Sequence, residues 1–282
     1  MPAMTLGYRH CDRKRPLYIK NAEIEGIAAL ARQQLVDANT DAIPREVLCD
    51  ISALCINGVS FDLFVGTGHV VHDEDGNPVL GICEFDPGMP QAAMVSVTPV
   101  GEYASEALVL STLGHELGHA IFDAPGSIFD ASKGPGLFDE TDPGLRRAYR
   151  TTTRDIEHLS KVGPVAEGTP GHSPLLTGQT PRDLYFAELR ANEFMGSLLV
   201  PRHRLAFLLE ELAPMFDVTI HRTPTLDPDW AGQGMNLTAE SKDAAGMECL
   251  QRELANQFGV NRRFIAVRME RYGLIKSENK AR

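Results

Sequence analysis

The spacing of hydrophobic positions changes along this chain, and each change marks a predicted element. Residues 20–38 repeat apolar side chains at helical spacing, with Ile24, Ile27, Leu30 and Leu35 near one face. A second helix is expected from Pro44, a favoured first-turn residue, through Leu48, Ile51 and Leu54. The runs 60–66, 69–73, 78–86 and 92–100 carry β signals, and Asp75-Gly76-Asn77-Pro78 is a turn between two of them. They predict a small antiparallel meander.

Helical periodicity returns at 105–122, SEALVLSTLGHELGHAIF, where Leu110, Leu113, Leu117 and Ile121 share one face. Ala124-Pro125-Gly126 should stop that helix. Residues 125–180 are rich in Gly, Pro, Asp, Ser and Thr. They read as an irregular insertion with one short helix near 144–160, serving either as a lid or as flexible padding. Thr180-Pro181-Arg182-Asp183 combines a capping Thr, a first-turn Pro and an acid, so a helix starts there and ends before Pro201. Another covers 202–212. After a weakly patterned stretch at 214–240, residues 243–258, a Gly259 stop, an Asn261 cap and residues 262–274 form a helical hairpin.

The 105–122 helix carries candidate chemistry. His115-Glu116-Leu117-Gly118-His119 is an H-E-x-x-H, and histidines four apart on a helix lie one turn above the other. Their rings fall opposite the leucine stripe and can reach one metal ion. Glu116, about 100° round the cylinder, is placed to address a water rather than to ligate. The competing explanation is two partly buried histidines without a metal.

Catalytic zinc usually has three side-chain ligands. The pattern H-E-x-x-H-x-x-G-x-x-H is excluded, because Phe122 and Pro125 stand where its Gly and third His belong. A carboxylate on the 181–200 helix remains, either Glu188 or Glu193. Glu188 shares a mostly apolar face with Leu184, Ala191, Asn192, Met195 and Leu199, whereas Glu193 sits with Arg190, Ser197 and Asp183 on what reads as a solvated side. A carboxylate on a buried face is costly unless paired or metal-bound, so Glu188 is the ligand candidate and Glu193 a surface charge. The competing role for Glu188 is a salt bridge to an arginine. Asn192, one turn on, is placed to hold a ligating histidine through its other nitrogen.

Through its H-E-L-G-H followed by Glu188-Leu-Arg-Ala191-Asn192-Glu-Phe194-Met-Gly-Ser-Leu198-Leu199-Val-Pro201, the chain resembles the ImmA/IrrE family of metallopeptidases. That family's signature is similar: H-E-L-G-H, then E-x-x-A-N-x-F-A-x-x-L-L-x-P. The resemblance covers about residues 40–124 and 180–275, the closing helices included. It implies a gluzincin-like site in which His115, His119 and Glu188 hold Zn²⁺, with Mn²⁺ as the substitute, and Glu116 is the general base. It also implies a narrow-specificity regulatory protease whose partner is a helix-turn-helix repressor. Two departures stand out: some 55 extra residues before Glu188, and Met195-Gly196 where the family usually has Ala and a larger residue.

The expected fold class is therefore α+β. A zincin-like core with a small antiparallel sheet and the H-E-x-x-H helix is joined to a helical C-terminal region with a helix-turn-helix-like hairpin. The expected division is an N-terminal tail and helix at 1–40, a metallopeptidase domain at 41–213 containing the 125–180 insertion, and the hairpin at 241–275. A strand of the 60–100 sheet should edge the cleft and pair with an extended peptide. His172, His158, Tyr185 and His203 are unranked candidates for an additional donor. His69 and His72 read as polar strand residues.

Composition narrows the setting. No apolar run is long enough for a membrane span, and the basic N-terminus lacks the apolar core of a secretory signal. Five scattered cysteines without a C-x-x-C argue against a disulfide framework or a thiolate zinc site, and a cytoplasmic location is expected. The net charge of −11 disfavours a large nucleic-acid surface. Charge is uneven, however: from residue 250 onward there are eight Lys/Arg against three Glu. The alternative function is thus a DNA-binding regulator, with Arg262, Arg263, Arg268 and Arg271 on a recognition helix.

Overall fold

The structure, a computed structural model, describes residues 3–73, 76–85, 89, 91–102, 104–133, 147–151, 181–224, 235–241 and 244–275. The architecture is mixed α+β with a small mixed sheet. It divides into two compact units, Met1–Val36 with Pro44–Leu198 and Asp37–Ile43 with Leu199–Arg282.

The first unit contains, in order, β1 (Met4–Leu6), α1 (Asn21–Leu35), α2 (Arg45–Cys49), β2 (Ala53–Ile56), β3 (Val59–Gly66), β4 (Val71–His72), β5 (Pro78–Val79), β6 (Gly81–Phe85), β7 (Ala92–Val97), α3 (Glu106–Phe122), α4 (Ala124–Ser132), β8 (Arg147–Thr151) and α5 (Pro181–Leu199), which runs to the unit boundary. Six strands form one sheet in the order β1-β2-β3-β7-β6-β8, while β4 and β5 make a separate ribbon.

Five expectations are corrected. The sheet is not an antiparallel meander. β6 and β7 form an antiparallel hairpin whose second strand lies parallel to β3, and β1 lies parallel to β2. The N-terminal segment is thus partly a strand rather than only a tail. The helix begun after Pro44 ends at Cys49, and Leu54 belongs to β2. Asn57 and Gly58, both at positive φ (54° and 80°), turn β2 back into β3, as an Asn-Gly pair does between strands. Pro125 does not end helical structure: it occupies the first turn of α4, where its missing N–H costs nothing. Residues 147–151, expected as helix, pair with β6 as a strand. Residues 134–146 and 152–180, with His158 and His172, lie outside the described residues.

Helix α3 lies against β6 and β7. Leu113, Leu117 and Ile121 are at most 2% exposed, and burial of each such side chain contributes roughly 1.5–3 kcal/mol. The opposite, histidine-bearing face is enclosed too, so every residue from Val109 to Phe122 is buried. The Ser105 hydroxyl caps the start of α3 by accepting from the Leu108 N–H. At its other end the Phe122 ring packs between Tyr8, tilted against it, and Phe194, edge to face, with centroids 5.1 and 5.8 Å away. α1 buries Ile24, Ile27, Ala28, Ala31 and Arg32, whereas Leu30 faces outward. The buried Arg32 donates to the carbonyl of Leu198 at the α5 C-terminus, where a cation meets the negative end of the helix dipole.

The second unit contains α6 (Arg202–Leu212), a short 3₁₀ turn (Ala213–Phe216), the antiparallel pair β9 (Val218–Pro224) and β10 (Met235–Ser241), α7 (Ala244–Phe258) and α8 (Arg262–Arg271). The weakly patterned 214–240 stretch therefore holds a strand pair. Gly259 adopts φ +69°, the left-handed conformation that ends α7, and the Asn261 side chain caps α8 by accepting from the Phe264 N–H. Arg268 is buried, its guanidinium 4.2 Å from the centre of the Tyr272 ring, and Arg262 pairs with Glu248. Arg268 is accordingly part of this unit's interior, not of an open recognition face. No helix among the described residues is long and apolar enough to cross a membrane.

Candidate metal centre

Local geometry places the two histidines, and one close helix contact brings the acid to them. A Cβ on Gly118 would stand 2.9 Å from the Cα of Ala191, so α5 can approach α3 only because residue 118 lacks a side chain. On α5, Glu188 and Asn192 flank Ala191 along the face turned to the imidazoles. The Nε2 atoms of His115 and His119 lie 3.1 Å apart. Glu188 reaches both: Oε2 is 3.3 Å from His115 Nε2 and Oε1 is 3.4 Å from His119 Nε2. Both histidines are buried, while the Glu188 side chain keeps 22% of its surface exposed, which leaves the cluster open on one side.

The outer ring nitrogens are also held. His115 Nδ1 donates to Asn192 Oδ1 at 2.8 Å, and His119 Nδ1 donates to Asp123 Oδ2 at 2.9 Å. With both Nδ1 atoms engaged in this way, the Nε2 atoms are turned toward each other and toward the Glu188 carboxylate, an arrangement that calls for a positive charge between them. The proton affinities show the same demand. Burial works against a charged His119, but the Glu188 charge and the hydrogen bond to Asp123 prevail and push its pKa up to about 10. Burial would raise Glu188 as well, yet the His119 charge and hydrogen bonds from both imidazoles hold it well below the usual carboxylate range.

The donor set fits a metal ion. Three donors about 2.0–2.1 Å from a shared tetrahedral ion would lie about 3.3 Å from one another; the two Nε2 atoms are 3.1 Å apart, and a different oxygen of Glu188 approaches each of them, at 3.3 and 3.4 Å. Two imidazoles and one carboxylate, all on rigid helices, make a site suited to borderline divalent ions and leave a position free. Cys83 is not among the residues of this cluster; its burial pushes the thiol pKa well above the ordinary value.

Glu116 is completely buried and packed beneath β6. A Cβ on Gly81 would meet Thr112 Cγ2 at 2.6 Å and the Glu116 carboxylate at 3.0 Å, so this glycine makes the room in which Glu116 lies. Helical pattern gave no hint of Gly81; only its place on a strand above α3 shows it.

Glu193 overturns the expectation of a surface charge, being only 2% exposed with an oxygen 3.3 Å from the Ser197 hydroxyl. A helical wheel ranks faces of one helix, and α5 has neighbours on more than one. Arg190, also assigned to solvent, donates to Asp123 Oδ1 at 2.8 Å. Asp123 thus lies between His119 and Arg190. It was missed, although its position four residues after His119 is readable in the sequence. Tyr8 adds support by donating to the Ile121 carbonyl at 2.9 Å at the end of α3. Its pKa is raised, chiefly by burial and then by the Asp123 charge. Tyr185, on α5, is exposed, and His203, in the second unit, is exposed as well. His69 and His72 are exposed and take no part in the cluster.

Comparison with protein-family models, with curated proteins and with solved structures finds no match for this chain. What is shown is therefore a His115-His119-Glu188 cluster that could hold a metal ion.

Proposed function

We propose that the chain is a metal-dependent endopeptidase of the zincin kind, related to the ImmA/IrrE family. The observation that carries this reading is the triangle of His115 Nε2, His119 Nε2 and a Glu188 oxygen, next in sequence to the buried Glu116. Zn²⁺ is the preferred occupant of a His₂Glu set, with Mn²⁺ as the substitute.

When bound, the ion would supply Lewis acidity, polarising a carbonyl and making a water more acidic. The chain's own groups do the rest. Glu116 accepts a proton from the attacking water and returns it to the leaving amine. Asn192 and Asp123 fix the two rings so that both Nε2 lone pairs point inward, and Arg190 anchors Asp123. The burial of His115, Glu116 and His119 limits competition from bulk water. A regulatory role, cleaving a basic DNA-binding repressor, accords with the net charge of −11. The DNA-binding alternative has weaker support, because Arg268 is buried and Arg262 is ion-paired.

The test is metal analysis of the purified chain beside Glu188→Ala, together with exposure of a complex peptide mixture to wild type and Glu116→Gln. Bound metal lost in the first variant, and new peptide termini absent with the second, are expected. Undiminished cutting by Glu116→Gln would remove the peptidase reading.

A further inference from the structure

β6 lies against the candidate base, since Gly81 packs directly over Glu116. β7 pairs with one of its edges. The other edge is the one an extended peptide would use, and β8 occupies it, running antiparallel with Thr151 opposite Gly81, Tyr149 opposite Cys83 and Arg147 opposite Phe85. β8 also lies against α3. It comes from the stretch between α4 and α5, and among the described residues it is the terminal strand of the sheet and pairs only with β6. Its loss would leave β1, β2, β3, β7 and β6 joined.

The sequence of this segment is also distinctive. Residues 145–154, LRRAYRTTTR, contain four arginines and no acid in a chain of net charge −11. Glu84, Glu116 and Glu188 all belong to the first unit, in β6, α3 and α5.

We propose that β8 is an internal stand-in for substrate: a basic, extended stretch of another polypeptide adds antiparallel to Gly81–Phe85 in place of Arg147–Thr151. This rests on the peptidase reading above and names its substrate class and its restraint. A tethered strand competes at an effective concentration in the millimolar range, so free peptide sees only the fraction of molecules with the edge open. Proteolysis is thereby confined to partners that compete for the edge.

The experiment measures binding of a labelled 145–154 peptide to the full-length chain with Zn²⁺ present. It compares Glu116→Gln, which prevents cutting, with Glu116→Gln carrying Ala148→Pro and Arg150→Pro. Proline cannot donate to the ladder, so the substituted β8 should leave its edge. The peptide is expected to bind the proline variant at least ten-fold more tightly, and a peptide with glutamate at the four arginines at least ten-fold more weakly. Equal affinity for both proteins overturns the stand-in, and equal affinity for both peptides overturns the basic substrate class. Loss of the thermal transition in the proline variant, and again with Ala148→Pro alone, would make β8 an integral strand and likewise overturn the proposal. Binding requires no hydrolysis, so failure of the peptidase reading would show separately, as unchanged cutting by Glu116→Gln.

Discussion

Gly118 and Ala191 are in backbone-level contact: the position of a Cβ on Gly118 lies 2.9 Å from Ala191 Cα and 3.2 Å from its carbonyl oxygen. The glycine of the H-E-L-G-H therefore sets how near the acid-bearing helix comes. Gly118→Ala should force α3 and α5 apart. Overpacking of this kind costs about 1–3 kcal/mol, partly offset by roughly 1 kcal/mol of helix propensity. Metal affinity, measured by chelator competition, should fall more than the melting temperature suggests, because Glu188 moves with α5.

Asp123 tests how far the ring orientation matters. Asp123→Asn keeps the shape but weakens the hold on His119 Nδ1 and on Arg190. Loss of such an outer partner typically lowers metal affinity 10–100-fold. Chelator competition should show a loss in that range, and an unchanged affinity would remove Asp123 from the site.

Glu188 and Glu193 should separate cleanly. Glu188→Ala is expected to lose bound metal. Glu193→Ala should keep it while destabilising the fold, because a buried Ser197 partner is removed, by about 1–3 kcal/mol. Metal stoichiometry and a denaturant titration on each variant decide the matter.

Metal loading should displace a proton from the cluster. In the metal-free chain the His119 pKa is raised to about 10, so this imidazole is charged at pH 8, where an ordinary one is neutral. Calorimetric titration with Zn²⁺ in buffers of different ionisation enthalpy should reveal its release. The sign for stability follows. A raised folded-state pKa contributes stability that is complete below about pH 6.5 and is lost as pH rises through about 10. With chelator present the melting temperature should fall across that window, and with metal bound the fall should be smaller.

Gly81→Ala should leave the metal and impair the base. Its Cβ would press on Thr112 and the Glu116 carboxylate, displacing the latter while the three ligand atoms stay put. Retained metal with peptide cleavage lowered at least ten-fold is expected; full activity would show that Glu116 tolerates the displacement.

Much of the site is local and therefore legible in the amino-acid order. His115 and His119 share a face because a helix repeats every 3.6 residues, and the same repeat relates His119 to Asp123 and Glu188 to Asn192. The start of α5 and the end of α7 are written in Thr180-Pro181 and Gly259. The Asn57-Gly58 turn is equally legible, yet the apolar residues before it also suit a longer helix, since a short apolar run fits either period. Other features depend on which surfaces meet. Glu193 is buried and Arg190 paired because α5 has neighbours its own periodicity cannot report. β7 enters parallel to β3, Gly81 clears room for Glu116, and β8 lies on β6, all through contacts between segments far apart in the chain. Helical and strand periods are properties of the backbone next door, whereas the neighbour across a packing interface is chosen by the whole fold.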